Sequence, residues 1–156
     1  MAMRNGKMAA LSVPEAPAKL MLRNPYDGEP IVRNDNSEEC WIEFHPSQSK
    51  FGQNVDRRLM DDNIRLRNQG RRMNAREIQD NVCKKLAMLT TNWCLAMLDG
   101  TPVDEPCNVE NAHFYYTEVE WLREAASSFV NDLGNFRPTP SESSVTSQST
   151  SSDSTA

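Results

Sequence analysis

Asn74-Ala-Arg-Glu-Ile-Gln-Asp-Asn-Val-Cys-Lys-Lys-Leu-Ala-Met-Leu-Thr-Thr-Asn-Trp-Cys-Leu-Ala-Met-Leu98 carries the longest regular apolar pattern in the chain. Ile78, Val82, Leu86, Leu89, Trp93 and Met97 recur at helical spacing, and Cys83, Ala87, Met88, Leu95 and Leu98 widen the stripe. Asn74 with Glu77 three residues on is a capping-box start, and Asp99-Gly100-Thr101-Pro102 is a stop. The spacing therefore predicts one helix from about 75 to 98, with its second half nearly encircled by protein.

Upstream, Cys40, Ile42 and Phe44 alternate with Trp41 and Glu43, the period-two pattern of a half-buried strand. Leu20-Met-Leu-Arg23 and Ile31-Val32 are apolar runs separated by the turn-rich Asn24–Gly28 and Asn34–Glu39. These predict a small antiparallel sheet of two or three strands within 18–46. Because two strands alone are marginal in water, one face must rest on helices. No internal repeat is visible in the sequence.

The serines of His45-Pro-Ser-Gln-Ser49 offer N-caps for an Arg-rich helix over about 50–69, which Gly70 ends. Asn108 can cap a short helix through about Tyr116. Thr117-Glu-Val-Glu120 reads as a second capping box, opening a helix with Leu122, Ala125, Ala126, Phe129, Val130 and Leu133 on its apolar face. Gly134 then stops it, and Phe136 can fold back on its last turn. The expected fold is α+β and predominantly helical, a small N-terminal sheet followed by three main helices. It forms one domain over 18–136, with the helical part at 50–136. Residues 1–17 are expected to form a flexible arm. The last nineteen residues hold eight Ser and four Thr, a composition expected to stay disordered over about 137–156.

The chain has 156 residues, a net charge of −5 and 38% hydrophobic residues. Its pI is about 5.1 and its mean hydropathy −0.67. No apolar run approaches the roughly 18 residues of a membrane span, and no apolar h-region of a secretory signal is expected behind Met1–Lys7. No membrane partner and a cytoplasmic location are expected. The net charge conceals a split: residues 1–49 sum to −2, residues 50–85 to +5 and residues 86–156 to −8. A basic middle and an acidic end can pair within one chain, between copies, or with a partner.

Cys40, Cys83, Cys94 and Cys107 lack metal-ligand spacing and read as free thiols. His45 and His113 have no partner that the sequence nominates, and no phosphate loop, nucleophile elbow or metalloprotease motif occurs. The chain is expected to be no enzyme and to need neither cofactor nor metal. The basic run Arg57–Arg76 is the main lead from composition. Arg58, Arg65 and Arg72 stand seven apart and would share a face if one helix continued through them. Aspartates 56, 61 and 62 are interleaved and no aromatic accompanies the arginines, so the favoured reading is a solvated helix face with i,i+4 pairs such as Asp61–Arg65. A docking face for an acidic partner or a second copy is intermediate between that and nucleic-acid binding.

From Trp93 onward the order of motifs resembles the tail assembly chaperones of long-tailed bacteriophages. The residues are Trp93, the Asp99-Gly100 turn, Asn108-Val-Glu-Asn-Ala112, Trp121-Leu-Arg-Glu124 and Phe129–Phe136. The similarity extends in layout over about Lys19–Phe136. The chain departs from the family at Asn92, where glycine is frequent, and in the Pro102–Cys107 loop. The resemblance implies a protein that binds the tape measure protein, keeps it soluble in the host cytoplasm and helps the tail tube polymerise. It implies absence from the finished virion, and contact with the tail tube protein through a frameshifted longer product. Phe114, Trp121 and Phe136 are the aromatic anchors expected at such an interface, beside Arg58, Arg65 and Arg72, and a homo-oligomer is compatible with the charge split. The competing readings are a small nucleic-acid-binding regulator and a structural tail or connector subunit.

Overall fold

The computed structural model describes residues 13–137. The expectations for residues 1–12 and for the Ser/Thr-rich stretch from 138 lie outside the described residues. The fold is α+β: strands β1 (Ala18–Met21) and β2 (Trp41–Phe44), helices α1 (Lys50–Asn68) and α2 (Ala75–Leu89), then strands β3 (Thr90–Ala96) and β4 (Pro102–Val103). Helices α3 (Val109–Glu118) and α4 (Glu120–Val130) follow, with a closing 3-10 turn at Leu133–Phe136. The four strands form one antiparallel sheet in the order β1-β2-β3-β4.

The long helix expected through Leu98 is thus two elements. It stops at Leu89, and the chain runs straight on as β3, placing Cys94 and Trp93 opposite Trp41 and Ile42. Thr90-Thr91-Asn92 is the local reason. β-branched Thr and short polar Asn are weak helix formers, and β2 offers a free row of backbone donors and acceptors. Thr90 adopts extended backbone with ψ 127°, and its Oγ1 donates to the Leu86 carbonyl at 2.8 Å, closing the helix end. Two of the four strands therefore lie within 50–136, not before it.

Between β1 and β2 the backbone repeats itself. Leu22, Ile31 and Cys40, nine residues apart and all buried, form a closed ring of hydrogen bonds. Leu22 N–H donates to the Cys40 carbonyl at 3.0 Å, Cys40 N–H to Ile31 at 2.8 Å and Ile31 N–H to Leu22 at 3.1 Å. Two lobes leave this ring with the same internal bonds: Asn24 N–H to Glu29 O and Gly28 N–H to Asn24 O in one, Arg33 N–H to Glu38 O and Ser37 N–H to Arg33 O in the other. Gly28 and Ser37 occupy the equivalent left-handed position at φ 74° and 59°. The repeat is in the backbone, and different side chains satisfy it, so the sequence does not display it. Ile31-Val32 is not a third strand: Val32 makes only an isolated bridge to Glu39, as Pro30 does to Arg23.

One sheet face, with Ile42 and Phe44 fully buried, rests on the helices. Lys19 and Trp41 lie on the other, the Lys19 ammonium 3.9 Å from the indole centroid. Phe44 packs between Tyr116 and Phe129, with centroids 6.3 and 5.9 Å away. Cys83, Leu86, Ala87 and Leu89 of α2, Ala112 of α3 and Leu122, Ala126 and Val130 of α4 complete the core. Caps follow the sequence closely. Ser49 Oγ accepts from Gly52 N–H at 3.1 Å, Asn74 and Glu77 form the full capping box, and Asn108 accepts from Asn111 N–H. The second expected capping box does not form. Thr117 lies inside α3, its hydroxyl donating to the His113 carbonyl, and α4 opens at Val119 without a side-chain cap. All four cysteines are free, three of them buried. Burial is the main cause that pushes the Cys40 thiol up to about 11, with Cys94 beside it.

Candidate functional site

β3 stays paired to its last residue, Ala96, and the chain then turns into β4, with Met97 N–H donating to the Thr101 carbonyl at 2.8 Å. Leu95 is buried, but Met97 and Leu98 are 58% and 40% exposed, where the sequence stripe had placed them on an enclosed helix face. The turn that follows needs Gly100 at φ 92°, and a Cβ there would lie 2.9 Å from the Val32 carbonyl. Gly100 O also accepts from Asn34 N–H, which docks the second lobe on this turn. Arg33 fastens the same junction. Its guanidinium donates to both oxygens of Asp35, to Asp104 at 2.8 Å and to the Leu95 carbonyl at 3.2 Å. Hydrogen bonds from Arg33 are the chief cause that holds the Asp35 carboxyl below its usual range.

Opposite Met97 and Leu98, the junction of α3 and α4 brings Val119, Trp121 and Leu122 forward, and the two sides enclose an open groove of about 480 Å³. Its walls are mostly apolar, and Asp99 is the one charged residue that lines it. Tyr115 forms part of the wall, held edge-on against Trp93 at 5.8 Å, and donates its hydroxyl to Glu105 at 2.7 Å. Burial, then that carboxylate, pushes the Tyr115 phenol up to about 12. Trp93 Nε1–H donates to the Glu105 carbonyl at 3.0 Å, so one loop residue orients both rings. The groove has the size and lining of a site that takes a few large apolar side chains.

The expected contact residues do not converge. Trp121, half-buried, lines the groove. Phe114 lies elsewhere, 57% exposed on α3. Phe136 is a correction: at 4% exposure it packs edge-on against Phe129 at 5.2 Å and is core, not a free anchor. Arg58 and Arg65 are exposed on α1, Arg65 beside Asp62 at 3.4 Å. Arg72 does not share their face, because α1 ends at Asn68 and Gly70, at φ 75°, turns the chain away. Met97, Leu98 and Val119 were missed as site residues, since a helical stripe carries no sign that two of its members protrude. The Thr-Thr-Asn run was the available signal.

His113 Nε2 lies 2.7 Å from Asp80 Oδ1 and ties α3 to α2. Burial raises the Asp80 carboxyl, but hydrogen bonds from His113 and Lys84 outweigh it and leave the carboxyl lowered. No cluster of His, Cys, Asp and Glu able to hold a metal occurs among the described residues. No described helix is long and apolar enough to cross a membrane. No family model, curated protein or solved structure matches the chain.

Proposed function

We propose that the chain is a non-enzymatic tail assembly chaperone of a long-tailed bacteriophage, receiving an amphipathic segment of the tape measure protein. The observation that carries this reading is the apolar groove between Met97-Leu98 and Trp121, built at the β3–β4 turn and open to solvent. A helix laying residues spaced by three and four into such a groove buries its seam and no longer self-associates. The motif order from Trp93 to Phe136 supports the same reading. Asp99 of the Asp99-Gly100 turn lines the groove, and Trp121 and Leu122 form its far wall. The tail tube protein, a frameshifted longer product and a host-cytoplasmic location belong to the same proposal.

The test is coexpression with the long helical protein of the same tail gene cluster. The intact chain is expected to raise the soluble fraction of that protein severalfold, and a Met97→Asp/Trp121→Ala variant to lose the effect while remaining folded. Equal insolubility with and without the intact chain refutes the reading.

A further inference from the structure

Phe114 stands on the side of α3 turned away from the core residues Ala112 and Tyr116. Glu110 is one turn before it and Glu118 one turn after, and both line the same shallow concavity as Phe114, joined by Glu105 from the preceding loop. An exposed aromatic ring surrounded by three carboxylates is an unusual surface for a side chain without a partner.

The complementary surface is on the same chain. Where Gly70 turns the backbone between α1 and α2, Arg67, Arg71 and Arg72 surround a concavity of about 530 Å³ whose apolar lining is Met73 and Ile78. Ile78 is 55% exposed, although it leads the apolar stripe of α2. Among the described residues Arg67 and Arg72 have no acidic partner within ion-pair distance, and Arg71 reaches only Glu77, at 3.2 Å. Among the described residues of one chain, Glu105, Glu110 and Glu118 make no ion pair with Arg67, Arg71 or Arg72, so the contact calls for a second copy.

The geometry points to a head-to-tail contact between copies, in which Phe114 of one chain enters the arginine-lined concavity of the next and Glu105, Glu110 and Glu118 face Arg67, Arg71 and Arg72. Three carboxylates meet three guanidiniums around a buried ring, so the charges steer the encounter and the aromatic supplies the anchor. Contact between two different patches repeats, and the copies close into a ring or extend as a filament. The charge split along the sequence, basic over 50–85 and acidic beyond, is the large-scale form of the same complementarity. Nucleic acid is the weaker occupant of the arginine concavity. The neighbouring helix interleaves Asp56, Asp61 and Asp62, and no aromatic lines the site. This inference does not rest on the groove beside Trp121.

Sedimentation velocity of the full chain tests it, over a range of concentrations at about 50 mM and about 500 mM salt. Association is expected at low salt and is weakened at high salt. Phe114→Ala/Glu110→Lys and, separately, Arg67→Glu/Arg72→Glu each weaken it by at least about tenfold. All four positions are exposed, and unchanged circular dichroism shows the fold retained. The two variants mixed form a one-to-one complex, since each keeps the surface the other lost. A wild-type chain that stays monomeric at hundreds of micromolar in low salt overturns the proposal. So does association that both variants leave intact. Salt-sensitive binding of single- or double-stranded DNA by a monomeric wild type, lost in the arginine variant, overturns it in favour of a nucleic-acid site.

Discussion

Gly52→Ala is expected to be the most damaging small substitution in the described chain. Gly52 is buried in the first turn of α1, against the segment that leads from β2 into the helix. A Cβ on it would lie 2.1 Å from the Ser47 carbonyl oxygen and 2.6 Å from that of Pro46, where ordinary contact begins near 3.4 Å. The segment would have to retreat by more than 1 Å, and it is held at both ends. Ser47 N–H donates to the Val130 carbonyl at 3.1 Å and Ser49 Oγ–H to Pro46 O at 2.7 Å, with Ser47 and Ser49 buried. Overpacking against backbone costs about 3 kcal/mol, and each hydrogen bond stretched away about 1 kcal/mol more. Alanine in a helix returns about 1 kcal/mol. With both bonds lost, the net is a destabilisation of about 4 kcal/mol, a fall in melting temperature on the order of 15 °C for a domain of this size. Urea unfolding followed by circular dichroism measures it as a lower midpoint at unchanged slope. Gly70→Ala is the control. At φ 75° with nothing within 4 Å of the new Cβ, it carries only the left-handed backbone cost of about 1–2 kcal/mol. A Gly52→Ala chain as stable as wild type, or no worse than Gly70→Ala, refutes the reasoning.

The Tyr116 hydroxyl is 2.7 Å from Thr90 Oγ1 at the point where α2 becomes β3, and Tyr116→Phe is expected to cost about 1 kcal/mol in the same urea assay. His45 stacks on Phe51 at 4.1 Å with its Nδ1 buried and unpartnered among the described residues. Burial is the main cause that lowers its pKa, against Glu43 and Glu15. The folded state then binds fewer protons than the unfolded chain. Its contribution is complete above the unfolded value of about 6.5 and is lost as pH falls through the lower folded value. Urea midpoints should drop between about pH 7 and pH 5 in wild type and stay flatter in His45→Phe. Equal slopes would remove His45 as the cause.

Helix starts and the central strand were legible because each is decided within a few residues. Ser49, Asn74 with Glu77, and Asn108 satisfy amides three positions away, and the Cys40–Phe44 alternation needs only a core on one side. The mixed class of fold followed from these local signals. The second capping box was the local exception. Thr117 found its partner one turn back, at His113, and α3 absorbed it.

What the sequence by itself determined is therefore local: caps, turns, the amphipathic α2 and the split of charge between the middle and the end. Only the tertiary structure decided that the stripe past Leu89 becomes a strand. The bonds that make it one join Cys94 to Trp41 and Trp93 to Ile42, about fifty residues apart. A helical period and a strand that is buried over part of its length leave the same apolar letters. Partners so far apart in the chain, not the letters, set the backbone there. The same long-range pairing lifts Met97 and Leu98 out of the core to face Trp121, so the groove is a product of the sheet. Phe136 went the other way. Its fold-back on the last turn of α4 was expected from Gly134, but its depth of burial comes from Phe129 packing in turn on Phe44, and that takes it out of the set of exposed anchors.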